Sequence, residues 1–249
     1  MKRTKISFDL AQLPRAIRAH CSNAAIYDSS CSEGAKTLLV QGTNITGSAY
    51  LKISAKGSLE RECHMTRFLN GHQVAPEVVA YETDAEHDYL LMEAVAGEDG
   101  VSGVHLENPT LLAIAFGEHL RMLHSLPVDN CPYTHRTAEM IGAVKDKNSQ
   151  LPFITQLQKV AVDDVIIHGD YCLPNIMMDH YAFTGFIDLG HGGIGDRHYD
   201  LYWGMWTLNY NLKTDRYHDV FLNAYGSADV DRERLVHFAR LVALTEGSS

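Results

Sequence analysis

"HGDYCLPN", residues 168–175, is polar, carries a turn-forming Gly and a Pro, and lies between the apolar runs Val165-Ile166-Ile167 and Ile176-Met177-Met178. Thirteen residues after Asn175, another apolar run, Phe186-Ile187, ends in Asp188-Leu189-Gly190. Short apolar runs bounded by turn signals are strand-like core segments. The chain therefore interrupts its core with a His, two Asp and an Asn, and a hairpin between Asn175 and Asp188 would bring both side chains to one site.

Those residue types suit phosphoryl transfer, which needs a carboxylate to accept a hydroxyl proton and oxygen ligands for Mg²⁺. The order Asp170-x-x-x-x-Asn175 followed by Asp188-x-Gly190 is the catalytic-loop pattern of kinases. Upstream, Lys52 lies in the strand-like "AYLKI", and Glu62 sits ten residues on in the helical "SLERECHMTRFLNG". Paired, they would hold an ammonium on nucleotide phosphates. Taken alone, the same pair reads as an exposed surface contact worth under about 1 kcal/mol. A Ser-rich turn, "DSSCSEGAKTLLV", precedes the first strands without any G-x-G-x-x-G. His168 reads as a structural brace. A metal-hydrolase reading would draw on His168, Asp170, His180, Asp188 and His191, but there is no H-E-x-x-H and it leaves Lys52 and Glu62 without a role.

Working outward, residues 37–53 read as two strands around a turn, and "EVVAYETDAEHDYLLMEAV" as two more, separated at Asp84 to His87. The Gly-rich, acidic "AGEDGVSG" is a hinge. Asn108-Pro109 is an N-cap and N1 pair opening a helix, closed before Pro127. From about Tyr199 the chain is mainly helical. The expected class is α+β: a small β-rich lobe over 1–95 and a larger, mainly helical lobe over 96–249.

Composition bounds the partners. The formal charge of -10 disfavours nucleic acid, whose phosphates it would repel, and steers cations inward. Five cysteines without a C-x-x-C pair read as reduced thiols, which suits the cytoplasm. The basic N-terminus lacks the apolar core of a secretory signal, and no stretch reaches the 18 or so apolar residues of a membrane span.

"HGDYCLPNIMM", "TGFIDLGHGGIGDRHYDL" and "LRMLHSLPVDNCPY" resemble the aminoglycoside phosphotransferases, especially the 3'-phosphotransferases of kanamycin and neomycin resistance. The likeness runs from about Ser32 to Leu244. It implies a bilobal protein-kinase-like fold that binds ATP and Mg²⁺ and acts as a monomer or homodimer on a polycationic drug. Asp170 would be the catalytic base, with Asn175 and Asp188 the metal ligands. Lys52 would contact the phosphates, held by Glu62, with Ser32 in the covering turn. Met92 would lie behind the adenine, and the Glu93 and Val95 backbones would bond its edge. Two departures concern the acceptor. The segment before "HGD" is shorter than in the 3'-kinases, and "RLVALTEGSS" replaces their usual ending with a Leu-Thr-x-Gly more like streptomycin 3''-kinases. A family Arg is His191 here. Asp163, Asp164, Asp196 and Glu246 remain as candidate drug contacts beside it. A kinase of another small metabolite and an inactive nucleotide-binding module are the other readings.

Overall fold

The computed structural model describes residues 3–31, 34–42, 47–148 and 152–246, without the side chains of 145–148 and 246. The chain divides into two compact units, residues 1–96 with 185–190, and residues 97–184 with 191–249.

The first unit contains β1 (Thr4–Lys5), α1 (Arg15–Cys21), β2 (Ala25–Asp28), β3 (Ala35–Gln41), β4 (Ser48–Ala55), α2 (Glu60–Asn70), β5 (Val78–Thr83) and β6 (His87–Glu93). Its six strands form an antiparallel sheet in the order β1-β2-β3-β4-β6-β5. Alternation along β6 explains why both faces are covered. Tyr89 and Leu91 join Leu38, Val40, Ala49 and Leu51 in a core closed by Leu13, Ile17 and Cys21. Leu90 and Met92 point the other way, onto Leu59 and Cys63 at the start of α2. The buried Asp88 accepts a hydrogen bond from the Leu59 N–H and so fixes where α2 begins.

The second unit runs β7 (Glu98–Asp99), α3 (Gly103–Leu106), α4 (Pro109–His124), α5 (Arg136–Asn148), α6 (Pro152–Val160), β8 (Val165–Ile167), β9 (Ile176–Asp179), β10 (Ala182–Phe186), β11 (Gly193–Gly195), α7 (Arg197–Leu212), α8 (His218–Tyr225) and α9 (Arg232–Glu246). The last residues of β10 belong to the first unit. α4 begins as its sequence requires: the Asn108 side chain accepts from the Leu111 N–H and Pro109 opens the helix. Gly117 lets α4 touch α8, because a Cβ there would strike the Phe221 carbonyl. Met140, Ile141 and Val144 of α5, Ile154 and Leu157 of α6, and Phe238 and Leu241 of α9 pack around Val165 and Ile167 of β8. β9 and β10 are joined at His180-Tyr181, both with positive φ (47° and 69°), the backbone of a tight two-residue hairpin turn.

Candidate active site

Lys52 stands on β4, paired on one side with Thr37 of β3 and on the other with Leu90 of β6. The sheet therefore fixes its backbone from both edges. Its Nζ lies 2.6 Å from Glu62 Oε1 and 2.9 Å from Asp188 Oδ1. Glu62 is buried on the face of α2 that also carries Cys63 and Thr66. Burial disfavours the Lys52 ammonium, but the charges of Glu62 and Asp188 and the bonds to them outweigh it and raise the Lys52 pKa. Burial raises the Glu62 carboxyl against the pull of Lys52. Asp188 is half exposed and sits in the left-handed region at φ 63°. Non-glycine residues hold that conformation at an energetic cost, and such residues cluster at functional sites.

Met92 packs in the cluster with Leu59, Cys63 and Leu90. The Glu93 N–H donates to the Glu77 carbonyl, and the Ala94 N–H to Ser48. Among the described residues the Val95 N–H has no partner. Ser32 lies outside the described residues, just beyond the turn in which Asp28 accepts from the Ser30 N–H.

The second unit builds the loop between β8 and β9. Gly169 has φ 80°, and a Cβ there would collide with the His191 carbonyl, so only Gly fits. The buried carboxylate of Asp200, on α7, accepts from the His168 N–H at 2.6 Å and the Gly169 N–H at 2.9 Å. His124 Nε2 lies 3.2 Å from the same carboxylate, and its Nδ1 lies 2.9 Å from the Tyr225 hydroxyl. Burial lowers the His124 pKa despite Asp200. His168 is fully buried, and its Nδ1 accepts from the Asp170 N–H at 3.3 Å. Tyr171 stacks on Phe116 and donates to its carbonyl, while the Leu173 N–H donates to Thr207 Oγ1.

On that frame Asp170 and Asn175 meet. Asn175 Nδ2 donates to Asp170 Oδ2 at 2.8 Å and to the Asp170 carbonyl at 3.0 Å. With both amide hydrogens so directed, the Asn175 carbonyl oxygen is the end left for a cation. Cys172, one residue from Tyr171, has its thiol pKa pushed up by burial, then by the charge of Asp170.

The candidate drug contacts are scattered. Asp196 is fully buried. It caps α7 through the His198 N–H and also accepts from the Val162 N–H, His198 Nδ1 and Arg234 Nη1. The expectation of a drug contact at Asp196 gives way to a capping role, since no carboxylate surface remains. Asp163 accepts from the Thr137 N–H, and its second oxygen is buried without a partner among the described residues, so burial raises its pKa. Asp164 is exposed and pairs with Arg197 at 3.2 Å. His191 is exposed, and its carbonyl accepts from Arg136 Nε. The Glu246 side chain lies outside the described residues. His180 is exposed beside Asp179, remote in environment from the buried His168, and no three such side chains gather as a metal cluster among the described residues.

The model of the phosphotransferase enzyme family matches residues 32–236. The chain belongs to that family. A "probable aminoglycoside 3'-phosphotransferase" of Lactococcus lactis is 35% identical over 93% of this chain and 95% of its own length. An aminoglycoside 3'-phosphotransferase of Niallia circulans is 30% identical over 78% and 82%. In fold, the phosphotransferase resembles an aminoglycoside phosphotransferase, APH(3'')-Id, from Streptomyces rimosus: TM-score 0.72 at 23% identity, covering 96% and 99% of the two chains. Asp200 and Thr207 were the working residues that motif reading passed over; "YDL" at 199–201, in the quoted "GIGDRHYDL", contains Asp200 but names no role for it.

Proposed function

We propose that this phosphotransferase moves the γ-phosphoryl group of ATP to the 3'-hydroxyl of an aminoglycoside, thereby conferring resistance. The observation that carries the reading is the Asp170–Asn175 contact on a loop whose backbone is pinned by Asp200. The names of the relatives at 35% and 30% identity support the acceptor class.

Asp170 orients the acceptor hydroxyl and takes its proton as the new O–P bond forms, a role typically worth about 10²–10⁴-fold in rate. Asn175 and Asp188 supply oxygen donors of the kind hard cations prefer, so they fit Mg²⁺. When bound, Mg²⁺ neutralises charge on the phosphates. Lys52, held ionised by Glu62, binds the α- and β-phosphates, and the nucleotide exchanges for the contact that Asp188 makes with Lys52 in the free protein. The Glu93 carbonyl and the Val95 N–H bond the adenine edge, with Met92 behind it. Residues 1–95 form the nucleotide lobe in this reading, and 96–249 the catalytic and acceptor lobe. The reading places the enzyme in the cytoplasm; no described helix is long and apolar enough to cross a membrane.

The test is ADP release from Mg-ATP across kanamycin, neomycin and streptomycin. Kanamycin and neomycin should drive turnover, and Asp170→Ala should abolish most of it while ATP binding persists. Turnover with streptomycin alone would move the acceptor to the 3'' position. Silence with every drug, despite ATP binding, would overturn the acceptor class.

A further inference from the structure

α7 carries a ladder of aromatic rings that the reaction described above does not use. Tyr199, Trp203, Trp206 and Tyr210 recur at spacings of four, three and four, which align them along one side of a helix. Trp203 meets Trp206 edge to face, with centroids 5.3 Å apart, and Trp206 stacks on Tyr210 at 5.1 Å and 10°. The lower rungs pack inward, with Tyr199 against Phe238. The upper two do not: Trp206 is 42% exposed and Tyr210 58%. A single exposed apolar side chain needs no explanation, but two stacked aromatic rings side by side in water do.

Two observations say what covers them. First, the outer ring already carries an ammonium: Lys213 Nζ lies 4.4 Å from the Tyr210 centroid. Lys213 is the exposed C-cap of the same helix, held at φ 57°. The Tyr210 face is thus one that a cation occupies, as the negative π-face of an aromatic ring favours. Second, the helix that carries the ladder also holds the catalytic loop. Thr207 Oγ1 receives the Leu173 N–H of that loop, and Asn211 Nδ2 donates back to Thr207. At about 100° per residue, Trp203, Trp206 and Tyr210 all fall on the same side of Thr207, within roughly 100° of it. The ladder therefore stands on the helix whose Thr207 holds the loop of Asp170 and Asn175.

We propose that Trp206 and Tyr210 are specificity-determining residues that bind one ammonium-bearing ring of the acceptor, with Lys213 as the internal cation the acceptor displaces. The net charge of -10 favours the same polycationic ligand. The proposal rests on the aminoglycoside reading, and its test separates the two. In wild-type protein, drug-dependent ADP release is measured first; its absence removes the aminoglycoside reading. Given turnover, Tyr210→Ala and Trp206→Ala should each raise KM for the drug about three- to thirtyfold, with kcat and the KM for ATP within about twofold. Tyr210→Phe should restore the wild-type KM, and Lys213→Ala should lower it. Addition of drug should also change tryptophan fluorescence in the wild type and not in Trp206→Phe. Unchanged KM in both alanine variants, with melting temperatures near wild type, overturns the proposal. So does a dimer in sedimentation that Trp206→Ala dissociates, because the face would then belong to a second copy.

Discussion

One carboxylate, that of Asp200, receives two consecutive backbone N–H groups, from His168 and Gly169, at 2.6 and 2.9 Å. Asp200 sits one helical turn into α7 and has no exposed surface, so these bonds are made away from water. Asp200→Ala leaves both backbone donors and His124 Nε2 unmatched. At about 1–3 kcal/mol for each buried group left unpaired, the loss of stability should be at least about 3 kcal/mol in urea unfolding. Asp200→Asn keeps one acceptor oxygen and should fall between that variant and the wild type. Drug-dependent turnover should drop in both; full turnover in Asp200→Ala would mean that the loop keeps its shape by other contacts.

Gly169→Ala should be as damaging for a different reason. A left-handed backbone costs an L-residue about 1–2 kcal/mol, and the added methyl also meets the His191 carbonyl. Since the carbonyl is itself held by Arg136 Nε, it cannot swing away without breaking that bond. The expected outcome is a lower melting temperature together with lost turnover. A variant that melts and turns over like the wild type would remove the steric account.

How far the chain could be read depended on where its signals were local. The Asn108-Pro109 start of α4, the strand pairs at 35–55 and 78–93, and α2 were legible because each shows a cap, a turn or a clear period. α1 was not: its seven residues bury only Ile17 and Cys21, too little pattern to stand out from "RAIRAHC". α5 was passed over because its apolar residues match partners on α9, almost a hundred positions later, and α6 was passed over although Phe153, Ile154, Leu157 and Val160 recur at helical spacing. In the site, the spacing pointed to the Lys52–Glu62 pair, and it grouped Asp170 with Asn175, which meet at 2.8 Å. It did not point to Asp200 and Thr207, since each acts on backbone N–H groups that any sequence would carry. Asp196 misled because an acidic residue in a motif looks the same whether it faces a ligand or caps a helix.

Acid should unfold this protein partly through a buried imidazole. Burial lowers the His119 pKa to about 4 from its ordinary 6.5. Between those values the unfolded chain takes up the proton first, so stability falls as the pH drops from about 6.5 toward 4. By pH 5 this one group should contribute a loss of about 2 kcal/mol relative to neutral pH. His124, also lowered by burial, acts in the same direction, so the single variant His119→Gln isolates the first term. Its unfolding free energy should decline less steeply than that of the wild type between pH 7 and 5. Parallel curves for the two proteins would show that His119 titrates normally.

Asp188 joins a conformational demand to a charge, and two substitutions separate them. At φ 63° the residue is one that Asp and Asn tolerate better than Ala. Asp188→Asn therefore keeps the backbone and a side-chain oxygen but loses the charge that helps hold Lys52 ionised. It should melt within a few degrees of the wild type, and Mg²⁺ should strengthen its nucleotide binding less than in the wild type in calorimetry. Asp188→Ala adds a backbone penalty of about 1 kcal/mol and should lose stability as well. Binding without Mg²⁺ should survive in both, because Lys52 and Glu62 remain paired at 2.6 Å. Equal strengthening by Mg²⁺ in the wild type and in Asp188→Ala, which keeps no side-chain oxygen, would exclude Asp188 as a metal ligand.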